Sequence, residues 1–191
     1  MFNKRLISAL ALSLALAAPA LAETDGPGPN LVIEVAGTTS GTIVIDLLPD
    51  VAPLHVAQIT TLASQGAYDD VVFHRVIDGF MAQTGDVRYG KAGGDTSQAG
   101  QGGSDLPDLA AEFSSLSFDR GVVGMARAND PNSANSQFFI MFVSDPRYDG
   151  QYTIVGRVIE GMEVVDAIKK GEGGNGEVTD PDRMAKVTVA E

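Results

Sequence analysis

Apolar and polar residues alternate in a series of short stretches along this chain, and a period of two marks a strand buried on one face. "LVIEVAG" (31–37) and "GTIVIDLL" (41–48) flank "TTSG", which predicts a hairpin. "VVFHRVI" (71–77) and "FMAQTGD" (80–86) predict two further strands with "DG" turning between them. "GVVGMAR" (121–127), "SQFFIMF" (136–142), "YTIVGRVI" (152–159) and a closing "MAKVTVA" (184–190) continue the pattern. Two stretches switch to helical spacing. In "APLHVAQITTLASQG" (52–66), Pro53 suits a first turn, Val56, Ile59, Leu62 and Ala63 share one face, and Gly66 suits the stop. His55 belongs to the exposed face of that helix. "MEVVDAIKKG" (162–171) turns Met162, Val165 and Ile168 inward, with Lys169 and Lys170 in the last turn, where the helix dipole favours cations. Residues 87–110 are glycine-rich and polar, and a loop of that length is uncommon without a task. Many short strands with two helices predict a closed antiparallel β-barrel capped by helices.

Length and charge narrow the picture. The 191 residues suit one domain, and 44% hydrophobic with 20% charged residues is a globular composition. The first residues stand apart from that domain. Lys4 and Arg5, an apolar run from Leu6, and Ala20-Leu21-Ala22 have the layout of a cleaved secretory signal over 1–22. The run is short for a membrane-spanning helix. Cleavage would leave a flexible leader at 23–30 and the domain at 31–191, in the periplasm or outside the cell. No cysteine is present, which excludes thiol catalysis, cysteine metal sites and disulfides. The formal charge is -12, and without Lys4 and Arg5 the chain carries 11 basic against 25 acidic residues. That balance disfavours nucleic acid and anionic membranes as partners.

Several catalytic signatures fail. "GTTSG" (37–41) is not the G-x-S-x-G of a nucleophile elbow, and no phosphate-cradling G-x-x-x-x-G-K-[ST] occurs. His55 and His74 cannot make a multi-histidine zinc site. The loop "GGDTSQAGQGGSD" (93–105) mixes Asp and Gly but lacks the terminal glutamate of a calcium loop. Neither a metal nor another cofactor is expected. A serine hydrolase would need one of the two histidines as base with an acidic partner and a serine within reach, and no spacing points to one.

At "FHRVIDGFMAQTGD" (73–86) and "SQFFI" (136–140) the chain resembles the cyclophilin-type peptidyl-prolyl cis/trans isomerases. "DGQYTIVGRVIEGMEVVDAI" (149–168) matches the family's later segment, and the resemblance runs from about Leu31 to Val189. It implies an eight-stranded barrel with two capping helices and a proline-binding groove on the outer face. It also implies a role for each polar residue in the central motif. A prolyl bond turns over a barrier of ~18–20 kcal/mol because its C–N bond is partly double. Lowering that barrier takes no covalent intermediate and no proton shuttle. It takes withdrawal of the nitrogen lone pair from resonance in a dry place, and an arginine that stays charged can do this. Arg75 is the expected catalytic group, with Gln83 holding it. Phe80, Met81 and Phe139 are expected to line the proline pocket. Gln137 would extend the polar network, and Ala126 would lie where the peptide backbone binds. His74, on the opposite strand face from Arg75, is expected to be structural.

The departures from the family pattern shape further expectations. Arg147 and Tyr148 stand where the family often has a tryptophan and a leucine, and Tyr152 stands where it often has a histidine. The pocket should still close over proline with Tyr148 and Tyr152, because a tyrosine ring is flat and apolar-bodied. Cyclosporin, which in the family leans on the tryptophan, should bind weakly. "MARANDPNSANSQ" (125–137) carries one residue more than the pattern, so side-chain roles for Arg127, Ala128 and Asn129 stay open. The stretch 87–99 exceeds the minimal family loop and reads as a surface insertion able to adjust substrate choice. The expected partners are proline-containing unfolded or flexible polypeptides, bound by a monomer. The rival is a proline-peptide binding module or holdase with the groove but little turnover.

Overall fold

The computed structural model describes residues 24–191, so the expected signal at 1–22 lies outside the described residues. Nine strands follow in chain order: β1 (Asn30–Ala36), β2 (Gly41–Leu47), β3 (Val71–Val72), β4 (Arg75–Ile77), β5 (Met81–Thr84), β6 (Val122–Met125), β7 (Phe138–Met141), β8 (Ile154–Glu160) and β9 (Arg183–Ala190). The helices are α1 (Pro53–Ser64) and α2 (Met162–Ala167), with a 3₁₀ turn at Pro146–Tyr148. The strands form one antiparallel sheet in the order β3-β9-β1-β2-β8-β6-β7-β5-β4. The sheet curls into a half-barrel around a core that includes Ile33, Ile45, Val123, Phe138, Ile140 and Val155.

The closed eight-stranded barrel expected from sequence is corrected both in strand number and in closure: nine strands form a half-barrel. "VVFHRVI" is two strands, because the chain changes partner inside it. Val71 and Val72 pair with β9, whereas Arg75, Val76 and Ile77 pair with β5. Between them, Phe73 N–H donates to Asp182 O, and Val178 N–H donates to His74 O. The two edges of the sheet are thus consecutive in the chain, and two residues rather than a ladder of hydrogen bonds join them.

Strand alternation sorts residues onto two faces. Ala82, Ile140, Val123 and Val155 point into the main core. Their neighbours Met81, Phe139, Met141 and Ile154 point outward and form a second apolar cluster with Phe118. One glycine makes this second layer possible. A Cβ on Gly124 would lie 2.6 Å from the Phe139 ring and 2.7 Å from the Phe118 ring, inside any real contact. The turn between β4 and β5 needs the left-handed backbone of Gly79, at φ 67°.

Helix α1 buries Val56, Ile59, Leu62 and Ala63 as the spacing predicts. Each large aliphatic contributes ~1.5–3 kcal/mol by leaving water. His55 corrects the expectation of an exposed histidine: it is wholly buried. The cause is the helix start. Ala52 offers no side-chain cap, and Glu112 from the long loop supplies one, accepting from the Leu54 and His55 backbone N–H groups at 3.1 Å. The same carboxylate holds the His55 ring, with Nδ1 2.6 Å from Oε2. Helix α2 is also shorter than expected. It stops at Ala167, where Ile168 turns extended, so Lys169 and Lys170 lie beyond its last turn. Lys170 Nζ nevertheless donates to the carbonyl oxygens of Asp166 and Ile168.

Candidate active site

The outer face of β4, β5 and β7 carries one continuous row of chemistry. Register places Arg75 opposite Gln83, Gln83 opposite Phe139, and Phe139 opposite Gly124. Alternation then puts all their side chains on the same side. The Arg75 guanidinium is tied at two nitrogens: Nε donates to Asn175 O at 3.0 Å, and Nη1 donates to Gln83 Oε1 at 3.2 Å. Gln83 passes the chain on, its Nε2 donating to Gln137 Oε1 at 3.0 Å. Gln137 Nε2 ends it on the carbonyl oxygens of Gly100 and Gly102, at 3.0 and 2.8 Å. Each amide thus has its orientation set by the next, and the guanidinium has little freedom to rotate away.

Beside this row lies a hollow of about 180 Å³, lined by Arg75, Phe80, Met81, Gln83, Ala126, Arg127, Phe139, Tyr148 and Tyr152. The structure therefore brings Arg75, Gln83, Phe80, Met81, Ala126, Phe139, Tyr148 and Tyr152 together in one place. Gln137 stands one step back, reaching the hollow through Gln83. Tyr152 meets Phe139 edge-on at 5.6 Å between centroids and Tyr148 at 5.4 Å, and Tyr148 meets Phe80 at 5.3 Å. Such aromatic contacts hold the rings as a wall. Burial raises the Tyr148 hydroxyl above its ordinary value, and the neighbouring Tyr152 and Asp145 add to the effect.

Three contributors were given no role by the sequence reading. Phe118 underlies the hollow, stacked on Phe139 at 5.9 Å. Its stretch has no periodicity to betray it; Asp149 Oδ1 fixes its N–H at 2.7 Å. Arg127 lays its guanidinium over the Tyr152 ring, 4.4 Å from the centroid, and donates to the carbonyl oxygens of Ala128 and Gln151. Asp86 is fully buried and accepts four backbone N–H groups, from Arg88, Tyr89, Gly100 and Gly102. It holds the two glycines whose carbonyls orient Gln137. The conspicuous "GD" at 85–86 was the available signal for it.

His74 is buried behind the row, as expected for a structural histidine. Burial pushes its imidazole down to about 4; Asp86 opposes the shift and Arg75 reinforces it. His55 and Glu112 do form an imidazole–carboxylate pair, as a hydrolase would need. The far nitrogen, His55 Nε2, is buried with no hydrogen-bond partner, so no serine stands ready to be activated.

Comparison with known proteins agrees with this geometry. The family described as cyclophilin type peptidyl-prolyl cis-trans isomerase/CLD matches residues 31–189. A probable peptidyl-prolyl cis-trans isomerase of Brucella suis is 50% identical over 187 residues, covering 96% of this chain and 94% of its own. A longer peptidyl-prolyl cis-trans isomerase of Arabidopsis thaliana is 43% identical over 135 residues, covering 70% of this chain and 20% of its own. Among solved structures, a cyclophilin from Hirschia baltica superposes with a TM-score of 0.71 at 27% identity, over 87% of this chain and 75% of that one. A Cryptosporidium parvum cyclophilin solved in the presence of the dipeptide Ala-Pro gives 0.71 at 25% identity, over 85% and 99%. With its row of Arg75, Gln83 and Phe139 on the outer face of the sheet, this chain belongs to the cyclophilin-type peptidyl-prolyl cis-trans isomerases.

Proposed function

We propose that Arg75 performs the isomerisation by donating to the prolyl nitrogen as it pyramidalises, while Phe80, Met81, Phe139, Tyr148 and Tyr152 hold the ring. The single observation that carries this is that Arg75 lines the same small hollow as those five side chains. A hydrogen bond to the nitrogen lone pair competes with amide resonance and so favours the twisted state over either planar isomer. Gln83 Oε1 and Asn175 O hold the donor in place beforehand, so no reorganisation is needed during the reaction. Ala126, small and at the rim, leaves room for the peptide backbone. The enzyme works on flexible or unfolded chains, where slow Xaa-Pro rotation limits folding. The leading residues support an exported protein, and the strong negative charge supports a monomer.

The test is a protease-coupled isomerisation assay of parent and Arg75→Ala. Equal rates in the two proteins, with peptide binding retained, would transfer the reading to a binding module or holdase. A pH series gives a second check. His74 sits near 4 and Tyr148 is shifted upward, so neither changes charge in the working range. The rate is therefore expected to be flat from roughly pH 6 to 9, where no proposed participant titrates. A bell-shaped profile centred near neutrality would mean an acid or base that this mechanism lacks.

Cyclosporin gives a third. Arg147 folds back onto Asp145, with Nε at 2.9 Å from Oδ1, and its side chain is 83% exposed. It presents no apolar ring or indole N–H to a ligand. Cyclosporin equimolar with the enzyme should leave turnover nearly unchanged; stoichiometric inhibition would show that another group replaces the tryptophan.

A further inference from the structure

Gln83, Ala126 and Arg127 line both the proline hollow and a neighbouring cavity of about 420 Å³. Gln83 faces Arg75 and Ala126 is small, but Arg127 brings a charged group to the residues the two spaces share. Its guanidinium ties two segments of chain together. Nη1 donates to Ala128 O at 2.9 Å and lies 3.4 Å from Asn129 O, and Nη2 donates to Gln151 O at 3.0 Å. Ala128 and Asn129 belong to the loop between β6 and β7, and Gln151 to the turn that leads through Tyr152 into β8. A planar fork can meet carbonyls on both sides at once, which a single ammonium cannot do.

The same guanidinium lies over the Tyr152 ring, 4.4 Å from its centroid. Tyr152 is only half-buried, so packing leaves the ring room to turn. Phe118 and Phe139 meet it edge-on and Tyr148 lies tilted against it; Arg127 adds a cation that three backbone carbonyls hold still. A guanidinium fastened through both Nη atoms is a fixed object, and the ring it attracts is fixed with it. Resting on the isomerase reading above, we infer that Arg127 is a positioning residue for substrate binding, which acts by setting the Tyr152 ring as a wall of the proline hollow. A wall ordered in advance spares the substrate the cost of ordering it. The rotation step is untouched, because Arg75 is held by Gln83 and Asn175 and not by Arg127. Losing Arg127 therefore removes binding that the ground state and the transition state share, which shows in KM and not in kcat.

The experiment reads the Kd of a fluorescein-labelled Ala-Pro peptide by anisotropy, and kcat and KM by the coupled assay. The proteins are the parent, Arg127→Ala, Tyr152→Leu and the double variant, with melting temperatures taken alongside to establish that each is folded. Arg127→Ala is expected to raise Kd and KM about fivefold and to leave kcat within about twofold. In the Tyr152→Leu background the same substitution should change Kd by less than about twofold, because the ring through which Arg127 acts is gone. Arg127→Lys keeps a cation for the ring and should recover part of the affinity, whereas Arg127→Met keeps only the stem and should not. An unchanged Kd in Arg127→Ala, a loss confined to kcat, or an equal effect with and without the Tyr152 ring overturns the inference, and so does full affinity in Arg127→Met. A parent without turnover would count against the Arg75 mechanism alone, because the cycle of Kd values needs no turnover.

Discussion

Replacing Arg75 with alanine is expected to lower kcat/KM for an Ala-Pro peptide by about a thousandfold, while peptide affinity and melting temperature hardly change. The size follows from what is removed. Loss of one preorganised donor costs about two to three decades in rate. The barrier of ~18–20 kcal/mol offers no other handle here, because rotation needs neither a nucleophile nor a proton. Affinity should be spared because the side chains proposed to hold the ring, Phe80, Met81, Phe139 and the two tyrosines, do not depend on the charge. Stability is spared because Arg75 is only half-buried and its partners are one amide and one loop carbonyl, both able to turn to water. Arg75→Lys should recover little. An ammonium cannot hold Gln83 and Asn175 and still present a further N–H in the same plane. A lysine variant within threefold of the parent would show that charge alone suffices and would dismiss the fork geometry. An alanine variant with full turnover would remove Arg75 from the mechanism.

Legibility from sequence divides along the kind of interaction involved. Local periodicity carried the strands and the inner face of α1, because both depend on residues two to four apart. It failed where the chain changes partner, as at Phe73–His74, since no local pattern says that Val72 pairs with β9 and Arg75 with β5. It failed again at His55, whose burial is decided by Glu112, 57 residues away. The candidate site was named through the motif's resemblance to a family, and alternation along β4 and β5 is what brings those side chains together. What stayed hidden was its support. Asp86 fastens Gly100 and Gly102, these orient Gln137, and Gln137 orients Gln83 and through it Arg75. That relay spans a long loop of low periodicity, so its order is a tertiary property. Arg75, Gln83 and Asp86 stand as polar groups in an otherwise apolar stretch because each is a link in that relay.

The second large effect concerns Glu112. Glu112→Ala is expected to cost about 3 kcal/mol, between the ~1 kcal/mol of a lost helix cap and the ~3–5 kcal/mol of a broken buried pair. In a domain of this size that lowers the melting temperature by roughly 6–12 °C. The substitution leaves the Leu54 and His55 N–H groups without their cap and the wholly buried His55 ring without its partner. Glu112→Gln should cost less, since its carbonyl can still accept. Acid separates the contribution further. Burial pushes the Glu112 carboxyl up, but the His55 ring and the two backbone N–H groups outweigh it and hold the group below its ordinary 4.5. The unfolded chain then takes the proton first, so the carboxylate's contribution is whole above about pH 4.5 and is lost as pH falls through the depressed folded value. His74, held near 4 against an ordinary 6.5, acts in a higher window: its contribution is whole above about 6.5 and drains away towards 4. Urea midpoints of parent and Glu112→Gln should therefore differ by a constant amount from pH 7 down to about 5 and converge below 4.5. A gap that stays constant to pH 3 would mean that the charge on Glu112 contributes nothing and that its hydrogen bonds alone secure the start of α1.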